Sequence, residues 1–197
     1  MIMNIRSVIS IRYAQIRSLD LSNGEGIGVA LFVQGCQFRC PNCFNPETWD
    51  FCGGKEWTPE TKNKFIELAS RTYIKRISIL GGEPLTEENL DDVLDLVNEF
   101  RLLLPQKTIW LYSGFTWESI MNYESTESDD FDYIEESYID GLYEERKLII
   151  SQCDVFVDGR YIDAQRDITL PYRGSTNQRL IDIQKSLQKG EIILWQT

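Results

Sequence analysis

An apolar run, IGVALFV at residues 27–33, passes directly into Gly35 and a loop holding three cysteines, FVQGCQFRCPNCFNPETWDF. The run reads as a largely buried strand. Its end therefore delivers Cys36, Cys40 and Cys43 together, at spacings of four and three residues. Three thiolates can hold three corners of a cubic iron–sulfur cluster, and a fourth would normally close it. The missing ligand leaves one iron open, and an open iron can bind a substrate and do chemistry.

The remaining pattern alternates strands and helices. Strands are predicted over 5–12, 75–80 (KRISIL), 108–113 (TIWLYS) and 154–159 (DVFVDG), with a final edge strand over 191–196. Helices are predicted from about Pro59, from Thr86 to about Leu104, over 116–123 and 141–151, and after Gly174. Leu90, Val93, Leu94 and Val97 share one face of the second helix, and Pro105 stops it. Such alternation implies an α/β fold with mostly parallel strands. Five or six strands are too few for a closed eight-stranded barrel, so an open, partial βα barrel is expected. The cysteine loop, Gly81-Gly82-Glu83-Pro84, Ser113-Gly114 and Asp158-Gly159 all follow strands and should converge on one rim. No linker divides the chain, so residues 1–197 are read as a single domain.

Composition removes whole classes of chemistry. The chain has no histidine, which excludes histidine general bases, Ser–His and Cys–His nucleophile pairs, and His-containing zinc sites. Five cysteines, three of them clustered, fit a reducing compartment better than a disulfide framework, so a cytoplasmic location is expected. No apolar run approaches membrane-spanning length, and the N-terminus lacks the features of a signal peptide. The net charge is −11, and residues 124–145 hold ten acids with no Lys or Arg. That stretch is read as an acidic insertion, either a solvated face or a dock for a basic patch. It repels phosphates, so nucleic acid is not an expected partner.

Two further features bear on the site. In GGEP (81–84), paired glycines let the backbone approach a ligand closely, and Glu83 presents a carboxylate suited to an ammonium group. An ordinary turn before a helix is the plainer reading of GGEP alone. Cys40 and Cys43 form a CxxC that could belong to zinc, but the fourth ligand would have to be Cys52, Cys153 or a carboxylate. For Cys52 and Cys153, packing roles are preferred.

The CxxxCxxC loop followed by a strand ending in GGEP resembles the radical S-adenosylmethionine superfamily. More narrowly, NGEGIGVALFVQGC (23–36), CPNCFNPETWDF (40–51), LGGEPL (80–85), IWLYSGFTWE (109–118), DVFVDGRYI (154–162) and LPYRGSTNQRLID (170–182) resemble the activating proteins of anaerobic (class III) ribonucleoside-triphosphate reductases. The resemblance implies one 4Fe-4S cluster on Cys36, Cys40 and Cys43, with the amino and carboxylate groups of S-adenosylmethionine on the fourth iron. It implies reductive cleavage of that cofactor and formation of a glycyl radical on the reductase, with a flavodoxin- or ferredoxin-type protein as electron donor. By the same analogy Asn42, Cys43, Phe44, Gly82 and Glu83 contact S-adenosylmethionine. Ser113 and Asp158 are weaker candidates, and Arg173 is a candidate for a carboxylate or for docking the reductase. The alternatives are another small radical S-adenosylmethionine enzyme or a non-catalytic metal-binding protein.

Overall fold

The computed structural model describes residues 11–124 and 133–196. Its centre is a seven-stranded open sheet of order β3-β1-β2-β4-β5-β6-β7. The strands are β1 (Arg12–Asp20), β2 (Gly28–Val33), β3 (Lys55–Glu56), β4 (Arg76–Gly81), β5 (Thr108–Tyr112), β6 (Val155–Asp158) and β7 (Arg179–Asp182). The four central strands β2, β4, β5 and β6 run parallel. The outer pairings of β1 with β2 and β3, and of β6 with β7, are antiparallel. The expected parallel sheet therefore holds at the centre, where the helical crossovers lie, and gives way to antiparallel strands at both edges.

Side-chain alternation divides the sheet into two faces. Val29, Leu31, Val33, Ile77, Ile79, Ile109 and Leu111 point into the main core. That core is closed by α1 (Pro59–Ser70), α2 (Leu90–Leu103), α3 (Trp117–Met121), α4 (Tyr133–Ser151) and α5 (Ile183–Lys189). In α1, Thr58 caps the Thr61 amide, Pro59 opens the first turn, and Phe65, Leu68 and Ala69 are buried at helical spacing. In α2, Leu90, Val93, Leu96, Val97 and Phe100 form the buried stripe, while Leu94 lies at its margin.

The second face is only partly covered. Ala30, Phe32 and Leu80 form one small cluster, and Trp110, Val155, Val157 and Leu180 form another. Arg76 also lies on this face, fully buried, with its guanidinium 2.7 Å from the Asp20 carboxylate. The two charges are removed from water together and so must stay paired.

Several boundaries differ from the sequence reading. The strand expected at 5–12 falls almost wholly outside the described residues, and the strand pairing with β2 is β1, a charged segment without clear alternation. After Gly174 the chain first forms β7 and only then α5, started by Asp182 accepting the Lys185 amide. The expected strand at 191–196 is reduced to one bridge, Ile181 with Leu194. Within the acidic stretch, residues 125–132 are not described, but α4 begins at Tyr133 and packs Leu142, Ile149 and Ile150 into the main core. Of the acids described in α4, Glu144 is exposed and Glu136, Asp140 and Glu145 are half-buried.

Candidate functional site

Each central parallel strand ends at the same edge of the sheet. β2 leads into Gly35 and Cys36, β4 into Gly82 and Glu83, β5 into Ser113 and Gly114, and β6 into Gly159 and Arg160. Residues from all four turns line one cavity of about 570 Å³. The convergence expected from the sequence is present, although the residues span more than a hundred positions.

Two of these turns touch through their backbones. The Gly82 amide donates to Val33 O at 2.9 Å and the Glu83 amide to Gly35 O at 2.7 Å. A Cβ on Gly82 would stand 2.3 Å from Gly35 O, and Gly35 itself has φ +90 with Phe51 packed where its Cβ would be. Glycine is required at both positions for this approach. Asn89 locks the same junction by donating to Gln34 O at 3.0 Å and to Glu83 O at 2.9 Å.

Cys36, Cys40 and Cys43 all line the cavity and are half-buried. Burial pushes the Cys36 and Cys40 thiols up, and neighbouring thiolate charge adds to this at Cys40. Backbone amides oppose it. The backbone at Arg39 and Phe38 favours the Cys36 thiolate, the backbone at Tyr161 favours that of Cys40, and the Asn45 amide reaches the Cys43 sulfur at 3.4 Å. Amides aimed at cysteine sulfurs stabilise thiolates, which is what a bound iron–sulfur cluster requires of its ligands. Among the described residues no three of Cys, Asp and Glu converge as a single-ion site. Three thiols serving three irons of a cubane need not converge on one point. The donor set therefore fits a cluster.

The other cysteines are elsewhere. Cys52 is exposed. Cys153 is fully buried in the main core, where burial pushes its thiol up and its Sγ donates to Ile149 O at 3.2 Å.

Glu83 lies on the cavity wall but is almost wholly buried. Its Oε1 accepts the Leu85 amide at 2.9 Å and the Ser113 hydroxyl at 2.7 Å, and its Oε2 accepts the Gly114 amide at 2.7 Å. Burial nevertheless raises its pKa to about 7. Ser113 is thereby a partner of Glu83, while Asp158 accepts the Trp117 amide and is paired with Arg179. Asp158 is occupied in holding α3 to β7, and it does not line the cavity.

Phe44 is half exposed, with its ring 5.0 Å from that of Tyr161 and packed against Gly174. Asn42, like Asp158, does not line the cavity. Its exposed side chain donates to Asp163 at 2.7 Å, and its φ of +55 shapes the turn between Cys40 and Cys43.

Sequence reasoning missed Asn89 and Arg146. Arg146 is buried, donates from Nε to Leu85 O at 2.9 Å, and lies over the rings of Phe115 and Tyr143. It fastens α4 to the turn that carries Glu83. A lone arginine after an acid run gave no signal for this.

A three-thiol loop at the carboxyl edge of a parallel α/β sheet defines a single-cluster iron–sulfur protein, and residues 22–181 match the family model of a 4Fe-4S single cluster domain. A Vibrio cholerae relative is 35% identical over 168 residues, covering 84% of this chain and 94% of its own. One from Escherichia coli K12 is 32% identical over 168 residues, covering 84% and 95%. One from phage T4 is 31% identical over 172 residues, covering 85% and 92%. All three are named anaerobic ribonucleoside-triphosphate reductase-activating protein. The chain belongs to the family of anaerobic ribonucleoside-triphosphate reductase-activating proteins.

Proposed function

We propose that this protein is an enzyme that activates an anaerobic ribonucleoside-triphosphate reductase, by reductive cleavage of S-adenosylmethionine at a 4Fe-4S cluster, leaving a glycyl radical on the reductase. The observation that carries the reading is the backbone junction of Gly35 with Gly82 and Glu83, which sets three thiols and a strand-end carboxylate on one cavity wall. When bound, the cluster and S-adenosylmethionine supply an electron, an open iron and a sulfonium bond for that electron to break.

The chain's own residues bind and orient. Cys36, Cys40 and Cys43 hold the cluster, with backbone amides stabilising their sulfurs. Gly82 has no side chain to block the methionine ammonium, and Glu83 Oε2, with a single donor among the described residues, keeps acceptor capacity toward it. Phe44 offers an aromatic face for adenine, and Cys43 lies beside it. Asn42 contributes by fixing the turn of the cluster loop. The apolar wall of Phe32 and Leu80 excludes water from the reacting region.

We read residues 1–197 as one radical S-adenosylmethionine domain, a partial barrel whose open sheet supports that reading, with an acidic insertion at about 124–145. A flavodoxin- or ferredoxin-type electron donor and a cytoplasmic location belong to the same proposal. Among the described residues no helix is long and apolar enough to cross a membrane.

The test is anaerobic. The reconstituted, reduced protein is mixed with S-adenosylmethionine and its cognate reductase, and the glycyl doublet is sought by electron paramagnetic resonance. A doublet that is lost in Cys40→Ala supports the reading. Cofactor cleavage without a doublet points instead to a different substrate.

A further inference from the structure

Between β6 and β7 the chain leaves the sheet at Gly159 and returns at Gln178. This excursion is an ordered arm. Arg166 and Ser175 form an antiparallel bridge, and the Asp167 amide donates to Gly174 O at 3.1 Å. The Thr176 amide donates to Gln165 O at 2.9 Å, and the Gly174 amide donates to Gln178 Oε1 at 2.9 Å. Asp167 further accepts the Thr169 amide and hydroxyl, while the side chains of Ile168 and Arg173 take no part in these bonds.

Two of those side chains are unusual. Ile168 is 77% exposed although it lines the cavity mouth. Arg173 also lines the cavity, and its Nε is buried with no hydrogen-bond partner. A buried donor without an acceptor is costly, and an acceptor arriving with a ligand removes the cost. Charge points the same way. The cavity wall carries Arg17, Arg160 and Arg173 and one carboxylate, Glu83, which already accepts three hydrogen bonds, while Asp20 lies 3.8 Å from Arg17 and Asp167 lies near Arg173 outside the wall. Arg166 adds a further cation above Phe44. In a chain of net charge −11, this concentration of arginine at one opening is a local feature. Arg160 sits beside Cys40 and balances thiolate charge there. Arg173 and Arg166 belong to the arm.

We propose that this arm grips the reductase: Ile168 packs on an apolar side chain of the partner, and Arg173 donates to a carboxylate of the same segment. The segment entering the cavity thus carries an acidic residue near the glycine to be oxidised. This rests on the function proposed above. It names the part of the enzyme that selects the partner and the chemistry selected.

The test compares wild type with Ile168→Ser and Arg173→Gln, each loaded with cluster and reduced by dithionite so that no protein electron donor competes for the surface. The probe is the full-length cognate reductase. Each variant should bind it about tenfold more weakly or worse. Formation of 5′-deoxyadenosine without reductase should stay within about twofold of wild type in Ile168→Ser, whose side chain lies at the cavity mouth. Wild-type affinity should fall as ionic strength rises, and the fall should be shallower in Arg173→Gln. Unchanged reductase affinity in both variants overturns the inference. So does loss of S-adenosylmethionine binding in Arg173→Gln, which would give that arginine to the cofactor. If wild type itself makes no glycyl radical, the functional reading fails, a result distinct from either of these.

Discussion

Glu83 and Gly114 are joined by a hydrogen bond of 2.7 Å, in which the Gly114 amide donates to the buried carboxylate. The bond ties the end of β4 to the end of β5. The residue proposed to meet the cofactor ammonium is therefore also the clip between two loops of the site. Glu83→Ala should reduce both S-adenosylmethionine affinity and stability while leaving iron content close to wild type, because no cysteine contact is removed. Calorimetric titration and iron analysis of the same sample check this. Equal loss of iron would make the residue purely structural.

Glu83 also gives a pH signature. Burial raises its pKa from 4.5 to about 7 in the folded chain. Between those values the folded state keeps a proton that the unfolded state releases, so stability falls as pH rises through this window. The expected loss is about 3 kcal/mol in total. Glu83→Gln cannot titrate, so its stability relative to wild type should improve between pH 5 and 7. Denaturant unfolding of the cluster-free proteins across that range checks the sign.

Asp20 should behave in the opposite sense. Burial alone would raise its pKa, but the Arg76 hydrogen bond and charge, with bonds from Asn23, outweigh burial and lower it. Its stabilisation is present above the unfolded value of 3.8 and is lost as pH falls through the lower folded value. Asp20→Asn leaves Arg76 buried without its counter-charge and should cost about 3–5 kcal/mol at neutral pH. Thermal unfolding measures it, and a change below about 1 kcal/mol would contradict the buried pair.

Asn89→Ala removes the donor shared by Gln34 O and Glu83 O. Two buried carbonyls lose a partner, so stability should fall by about 1–3 kcal/mol. Faster amide exchange should appear at Gly82 and Glu83, whose hydrogen bonds this side chain supports.

Gly82→Ala drives a Cβ to 2.3 Å from Gly35 O. The cluster loop and the β4 turn must then separate. Iron loading and S-adenosylmethionine binding should both fall, while the far-ultraviolet circular dichroism stays unchanged. Full loading in this variant would mean that the close junction is dispensable.

The part of the site made by strand ends was legible in the sequence, because buried strands such as IGVALFV and RISIL are short, apolar and stopped by glycine. Local pattern sufficed to bring Cys36, Glu83, Ser113 and Gly159 to one edge. What escaped depends on partners far along the chain. Asn89 acts on Gln34, fifty-five positions away, and Arg146 acts on Leu85, sixty-one away. β1 lacks alternation because β2 and β3 flank it and its own side chains are only half covered. The arm between β6 and β7 was read in part as a helix, since its order comes from cross-arm backbone bonds that no periodicity announces.

The most direct measurement of the central claim is iron content and 5′-deoxyadenosine yield on one anaerobically reconstituted, reduced sample. Four irons per chain, consistent with the 4Fe-4S family model, should accompany cleavage of S-adenosylmethionine. Both should collapse when Cys36, Cys40 or Cys43 is replaced, and neither should change with Cys52→Ser. A full iron complement that cleaves no S-adenosylmethionine, or cleavage that survives loss of Cys40, would contradict the account.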